Sequence, residues 1–205
     1  MREAPKYLPE QYFLQTVWSD PEYLNCFAKV RDSNTTFVEI PVAKRKINHG
    51  VFVDVFPLDY YPENPAQQAE LNKKKRDYDC RLAAELYIPN RPLKSKIRYF
   101  LMKLKYPSYG DVIKKRETLF TTVPESQLVA DYGGFKEETC PIEWYGEGVE
   151  VLFEGIKVNA PTQYHKLLTQ IYGDYMTPPP VEKQVGHHYT AILDLEKPYT
   201  EYFKK

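Results

Sequence analysis

One short apolar run constrains this chain more than any other segment. Residues 51–56, VFVDVF, combine β-branched and aromatic residues in the pattern of a strand, with Asp54 in the middle. Alternate residues of a strand share a face, so Asp54 is predicted to lie with Phe52 and Phe56 while the valines face the other way. A buried, ionised carboxylate normally has a partner, because burying an unpaired charge is costly.

Two interpretations of Asp54 remain open on this pattern. In the first, it is a structural carboxylate hydrogen-bonded to a neighbouring loop. In the second, it is a ligand of a divalent metal, and a hard ion such as magnesium needs several further oxygen ligands. The search for those ligands mostly fails, since Asp77 and Asp79 point in nearly opposite directions on a predicted helix. Asp194 and Glu196 share a face, but on a predicted exposed edge strand.

The sequence around this strand divides into three segments. Residues 1–60 are strand-rich, with strands predicted over 11–18, 26–31, 32–40 and 51–56, and Asp59 is predicted to be a turn or cap residue. Residues 61–125 are helical, with helices predicted over 64–87, 93–107 and 109–120. Residues 126–205 combine a hairpin turning at Glu154 and Gly155, a helix over 162–175 and an extended tail. The pattern predicts an α+β (α/β-like) single domain over 1–205, with a mixed sheet flanked by helices.

Composition limits the class of partner and the compartment. Lys and Arg number 28, as do Asp and Glu, so no global charge indicates a nucleic-acid partner. Cys26, Cys80 and Cys140 are odd in number and widely spaced, which favours reduced structural thiols over disulfides or a zinc site. We find no secretory leader and no run of about 18 apolar residues, so the cytoplasm is the expected location.

Basic residues give two further hypotheses. Lys29 and Arg31 alternate onto one face of a predicted strand, where they would bind phosphate or form surface salt bridges. Residues 93–106 form a basic amphipathic helix. Such a helix either makes a peripheral contact with an anionic membrane, at its inner face, or packs its apolar stripe on the core with the basic side in water.

Three longer segments resemble one protein family in order and spacing. They are NCFAKVRDSNTTFVE (25–39), INHGVFVDVFPLDYYPE (47–63), and FEGIKVNAPTQYHKLLTQIYGDYMTPPP (153–180) with the following histidine pair. In these segments the chain resembles the LicD family. The resemblance implies a nucleotidyltransferase-type fold. It also implies transfer of phosphocholine, or a related phospho-group, from CDP-choline or a similar CDP-linked donor to a cell-surface glycan. Teichoic acid and lipopolysaccharide are such acceptors, and an acceptor on a lipid carrier would suit a membrane contact.

The resemblance also implies a set of site residues. Asp54 would be the catalytic third ligand of a Mg²⁺ or Mn²⁺ ion that bridges the donor's phosphates. Arg31 and Lys29 would contact the donor, and the C-terminal motif adds Lys183, His187 and His188 as substrate-binding candidates.

The chain departs from the LicD pattern at its start. Family members carry a glycine turn and an Asp-x-Asp pair ahead of the region matching YFLQT, and neither has a counterpart here. We therefore expect a sheet lacking its first strand and helix, an incomplete metal site, and little or no activity of this chain alone. Three explanations stay open: a truncated start, a split enzyme completed by a complementing N-terminal chain, or a non-catalytic glycan- or nucleotide-binding relative.

Overall fold

The computed structural model of the protein describes residues 4–133, 138–186 and 188–203. The chain forms two compact units, each assembled from separate stretches of sequence. The first combines residues 1–56, 73–118 and 186–205, and the second combines residues 57–72 and 119–185. The predicted single domain over 1–205 stays a prediction.

The secondary structure is mixed, with short strands and four helices in the part of the chain that the structure describes. The strands are β1 (Tyr12–Gln15), β2 (Ala28–Asp32), β3 (Thr36–Glu39), β4 (Val51–Val55), β5 (Asp59–Tyr61), β6 (Leu128–Ala130), β7 (Cys140–Pro141), β8 (Val149–Phe153), β9 (Ile156–Ala160) and β10 (Thr190–Asp194). The helices are α1 (Pro65–Ala83), α2 (Leu93–Lys105), α3 (Tyr109–Thr121) and α4 (Tyr164–Tyr172). The α+β class is confirmed, and the nucleotidyltransferase-type topology stays a prediction.

The first unit is built on a three-stranded sheet in the order β1-β2-β4. Both pairings are antiparallel, and the register places Lys29 of β2 directly opposite Asp54 of β4. The prediction of a mixed sheet is wrong for these strands. Parallel pairing needs a crossover connection, usually an α-helix, and neither the β1–β2 nor the β2–β4 connection contains one. The C-terminal tail supplies β10, which pairs antiparallel with β3.

The helices of the first unit meet in a small apolar core. Its buried members are Leu24, Leu82, Val112 and Ile113, from the loop before β2 and from α1 and α3. Helix α2 contributes no buried residue.

The second unit contains the antiparallel sheet β5-β6-β7 and the β8–β9 hairpin. Glu154 and Gly155 form the hairpin turn with φ values of 49° and 81°, which confirms the predicted turn. Asp59 is not a turn residue: it lies in β5 opposite Ala130 of β6. That pairing joins residues 71 positions apart, so no local pattern around Asp59 indicated it.

Two predictions from composition can be compared with the structure. The three cysteines are free thiols, as expected. No helix within residues 4–133, 138–186 and 188–203 combines the length and the apolar character needed to cross a bilayer.

Candidate functional site

One face of the β1-β2-β4 sheet carries charged and aromatic side chains. Lys29 and Arg31 alternate onto this face from β2, and Phe52 and Asp54 alternate onto it from β4. Gln15 of β1 lies opposite Lys29. Three of these polar side chains, on Gln15, Lys29 and Arg31, are buried, so each must find its partners inside the protein.

Lys29 and Asp54 form an ion pair across β2 and β4. The Lys29 Nζ lies 3.0 Å from Asp54 Oδ1, and the two side chains are 5% and 29% exposed. The contact is an ion pair rather than a well-aligned hydrogen bond. Burial lowers the pKa of Lys29, and the neighbouring Asp54 carboxylate opposes that shift. The carboxylate in the apolar strand therefore has a partner, but this partner is a lysine of the adjacent strand rather than the neighbouring loop of the structural interpretation.

The Lys29 ammonium also faces an aromatic ring. Its Nζ lies 3.1 Å from the centroid of the Phe52 ring, and the Arg31 Cζ lies 4.5 Å from the same centroid. Cations over an aromatic face are attracted by its quadrupole, more strongly when water is excluded. Phe52 is thus a common platform for both buried cations.

Arg31 is held by neutral oxygen acceptors. Its Nε donates to Gln15 Oε1 at 2.8 Å and its Nη1 donates to the Gly50 carbonyl at 2.7 Å. Burial lowers the pKa of Arg31, with Glu39 first among the charges that oppose the shift. These bonds position the guanidinium inside the sheet face, so its predicted contact with donor phosphate stays a prediction.

The loop that leads into β4 is fixed by a buried polar network. Gln15 Nε2 donates to Asp20 Oδ2 at 2.8 Å and to the Asn48 carbonyl at 3.1 Å. The backbone N–H of Asn48 also donates to Asp20 Oδ2, and the backbone N–H of Gly50 donates to the side-chain Oδ1 of Asn48. A Cβ on Gly50 would lie 2.1 Å from the Asp32 carbonyl oxygen, so only glycine permits this close approach.

His188 reaches the same site from the C-terminal tail. Its Nδ1 lies 2.9 Å from Glu39 Oε1, with side chains 53% and 20% exposed. Its ring makes edge contacts with Phe52 at 5.7 Å and Phe37 at 5.8 Å between centroids. A carboxylate at Nδ1 favours the tautomer that carries its proton there, which leaves Nε2 as a proton acceptor.

We call these residues the Phe52 cluster: Lys29, Arg31, Glu39, Phe52, Asp54 and His188. Four of the six predicted site residues therefore lie together. Of the other two, Lys183 is an exposed residue of the second unit and His187 lies outside the described residues.

Two members of the Phe52 cluster were missed as functional candidates. The sequence contained a signal for Phe52, since it was predicted to share a strand face with Asp54. Glu39 had none, because its partner His188 is 149 residues away in sequence.

The described donor atoms do not fit a metal centre. Within residues 4–133, 138–186 and 188–203, no three His, Cys, Asp or Glu side chains are arranged to hold a metal ion. Asp54 is also engaged by the Lys29 ammonium, which repels a second cation. The role of Asp54 as a metal ligand stays a prediction.

Comparison with known proteins adds one relative. The chain is 29% identical over 177 residues to a protein of Haemophilus influenzae named lipopolysaccharide cholinephosphotransferase LicD, covering 82% of this chain. This match supports membership of the LicD family. The chain spans 64% of the length of that LicD protein. No protein-family model matches the chain, and no solved structure matches it significantly. Four of the six residues that the LicD resemblance singled out are gathered around Phe52 in the first unit.

Proposed function

We propose that this chain acts in the transfer of phosphocholine, or a related phospho-group, from a CDP-linked donor to a cell-surface glycan. The observation that carries this proposal is the convergence of Lys29, Arg31 and His188 on the Phe52 ring, with Asp54 paired to Lys29. The similarity to a lipopolysaccharide cholinephosphotransferase supports the choice of donor group and acceptor. The proposed location is the cytoplasm, where nucleotide-linked donors are available.

In this proposal His188 is the general base. Its Nε2 takes the proton of a glycan hydroxyl as that oxygen bonds to the phosphorus of the phosphocholine group. The bond from the same phosphorus to the leaving CMP oxygen breaks, and CMP departs with the electron pair. Glu39 holds the imidazole through Nδ1 and stabilises the imidazolium that forms.

The buried cations act on the donor through their field. Lys29 and Arg31 are buried against the Phe52 ring that His188 also contacts, and a low-dielectric surrounding strengthens their attraction for a diphosphate. Asp54 offsets part of that charge and keeps Lys29 in place. Its additional role as a Mg²⁺ or Mn²⁺ ligand stays a prediction.

A second candidate is a non-catalytic glycan- or nucleotide-binding protein. The burial of Lys29 and Arg31 favours it, as does the failure of the described residues to gather a three-ligand metal site. Such a protein would bind a CDP-linked ligand without turnover.

A transfer assay separates the two candidates. Release of CMP from CDP-choline is measured with a lipopolysaccharide acceptor, for the chain and for His188→Gln, and binding of CDP-choline is measured by calorimetry. We expect His188→Gln to lower kcat about a hundredfold or more. The matched control is His165→Gln, because His165 is an exposed histidine of the second unit. An unchanged kcat in His188→Gln contradicts the general-base role.

The same assay tests the expectation of inactivity. Binding without CMP release by this chain supports the binding-protein candidate, and release by this chain alone contradicts the sequence-based expectation. If every variant of the Phe52 cluster kept both CDP-choline binding and turnover, the proposed site would be contradicted.

A further inference from the structure

Helix α2 presents a continuous apolar stripe to the outside. Five of its large apolar side chains are between 53% and 72% exposed, and they are Leu93, Ile97, Phe100, Leu101 and Leu104. At helical spacing these positions fall within an arc of about 100°. None of the 13 residues of α2 is buried. The stripe is therefore exposed, and no described residue of the first unit buries it.

The opposite side of α2 faces the protein. Ser95, Tyr99 and Met102 are the less exposed positions, and at helical spacing they lie about 180° from the stripe. The Arg91 guanidinium covers the Tyr99 ring at 4.4 Å, and Tyr106, which caps the helix, packs on the core. The hypothesis that the stripe packs on the core is wrong, because the helix rests on its other side.

Positive charges border the stripe on both edges. Lys94, Arg98 and Lys105 lie along one edge, Lys96 and Lys103 lie along the other, and α2 contains no acidic residue. Lys103 and Lys105 pair with Glu85 and Asp77 of the first unit. In the part of the chain that the structure describes, no ion pair is formed by Lys94, Lys96 or Arg98.

We propose that α2 docks on an anionic membrane surface and lies in its interface. The stripe would enter the boundary between headgroups and acyl chains, and the bordering cations would lie at the level of the lipid phosphates. Thirteen residues extend about 20 Å, too short to span a hydrocarbon core of about 30 Å.

The charge of α2 favours an anionic membrane over a second copy of the chain as the surface that covers the stripe. Two α2 helices packed stripe to stripe would bring Lys94, Lys96 and Arg98 of one copy close to those of the other, with no acid on either helix. An anionic lipid surface supplies the opposite charge and an apolar layer at the required depth. The inference does not depend on the chemistry of the Phe52 cluster.

Vesicle co-sedimentation tests the proposal with the full chain. We expect binding to phosphatidylcholine vesicles that contain phosphatidylglycerol, weak binding to pure phosphatidylcholine, and loss of binding as salt rises. Phe100→Ser should weaken the partition constant roughly tenfold or more. Replacement of Lys94, Lys96 and Arg98 by Gln should weaken it by roughly fivefold for each cation.

Phe153→Ser is the matched control. Phe153 lies near the tip of the β8–β9 hairpin and is 61% exposed, against 62% for Phe100. We expect its partition constant to be unchanged. Because the substituted side chains are exposed, circular dichroism should show unaltered folding in every variant.

Three outcomes would overturn the inference. Equal losses of vesicle binding in Phe100→Ser and Phe153→Ser would indicate nonspecific adsorption through any exposed apolar side chain. Equal binding to both vesicle types would remove the role of the cations. Failure to bind vesicles, together with a dimer in light scattering that Phe100→Ser abolishes, would identify the stripe as a self-association surface.

Discussion

The ion pair between Lys29 and Asp54 leads to a sharp prediction about stability. Asp54→Asn removes the carboxylate and leaves the Lys29 ammonium buried against the rings of Phe52 and Phe27, with no described counter-ion at contact distance. We expect the variant to be markedly less stable than the natural chain. The cause is the cost of an unpaired buried charge, not the loss of a strong attraction.

The size of the effect follows from distance and exposure. At 3.0 Å, Coulomb attraction is about 1.4 kcal/mol in bulk water and about 5.5 kcal/mol at an effective dielectric constant of about 20. Breaking a fully buried pair by removing one partner costs about 3–5 kcal/mol. Since the Asp54 side chain is 29% exposed, water screens the pair in part. We therefore expect Asp54→Asn to lower the free energy of unfolding by about 2–3 kcal/mol.

A double-mutant cycle isolates the pair. Lys29→Met keeps the apolar stem and its contact with Phe52, and the double variant Lys29→Met/Asp54→Asn removes both charges. We expect the double variant to recover most of the loss, with a coupling energy of about 2 kcal/mol. Urea unfolding at constant m-value measures each free energy.

The control is an ion pair in which both partners are exposed. Glu150 and Lys157 lie 2.7 Å apart with side chains 62% and 72% exposed. Glu150→Gln is expected to cost at most about 0.5 kcal/mol.

The dependence on pH provides a second readout of the same pair. The pKa of Lys29 lies below its ordinary value of 10.5, so the unfolded chain binds more protons just below that pH. The stability of the natural chain relative to Lys29→Met should therefore rise as pH increases towards 10.5. A cost of Asp54→Asn below about 0.5 kcal/mol, or no recovery in the double variant, would refute this reasoning.

Three further predictions concern the same unit. Burial lowers the pKa of His49, whose ring stacks on Phe203 at 5.0 Å, so stability should be full above pH 6.5 and fall as pH decreases below it. The melting temperature of His49→Phe should fall less than that of the natural chain as pH decreases below 6.5. Gly50→Ala should cost about 2 kcal/mol or more, whereas Gly186→Ala, with nothing within 4 Å, should change stability by at most about 0.5 kcal/mol in urea unfolding. If Asp54 binds Mg²⁺, the ion should raise the melting temperature of the natural chain and not of Asp54→Asn.

Each of these predictions has a contradicting result. An acid profile of His49→Phe identical to that of the natural chain would show that His49 titrates normally. Equal stability of the two glycine variants would contradict the close approach of Gly50 to the Asp32 carbonyl. An unchanged melting temperature of the natural chain with both Mg²⁺ and Mn²⁺ would contradict the metal-ligand hypothesis for Asp54.

Local patterns predicted the elements that local chemistry controls. Strand β4 follows from its β-branched and aromatic residues, strand β2 lies within the predicted strand 26–31 apart from its last residue, and the β8–β9 turn follows from Glu154 and Gly155. The side-chain period of two also placed Lys29 with Arg31, and Phe52 with Asp54, before any pairing was known. The periodicity of α2 predicted both its apolar stripe and its basic edges.

Pairing between distant segments was decided by the tertiary structure. Asp54 acquires Lys29 as its partner only through the antiparallel register of β2 and β4, and a one-residue slip would have separated them. His188 joins Glu39 because the tail returns to β3, and Asp59 enters a strand because β6 lies beside it. No local sequence pattern predicts these contacts between distant segments.

The amino-acid sequence by itself determined which residues share a face: the alternation in VFVDVF, the paired cations of β2 and the stripe of α2 follow from backbone geometry alone. Only the tertiary structure decided what each face meets. The face that carries Asp54 packs against buried cations, whereas the α2 stripe stays exposed. The reason is that burial depends on the packing of segments that are far apart in the chain.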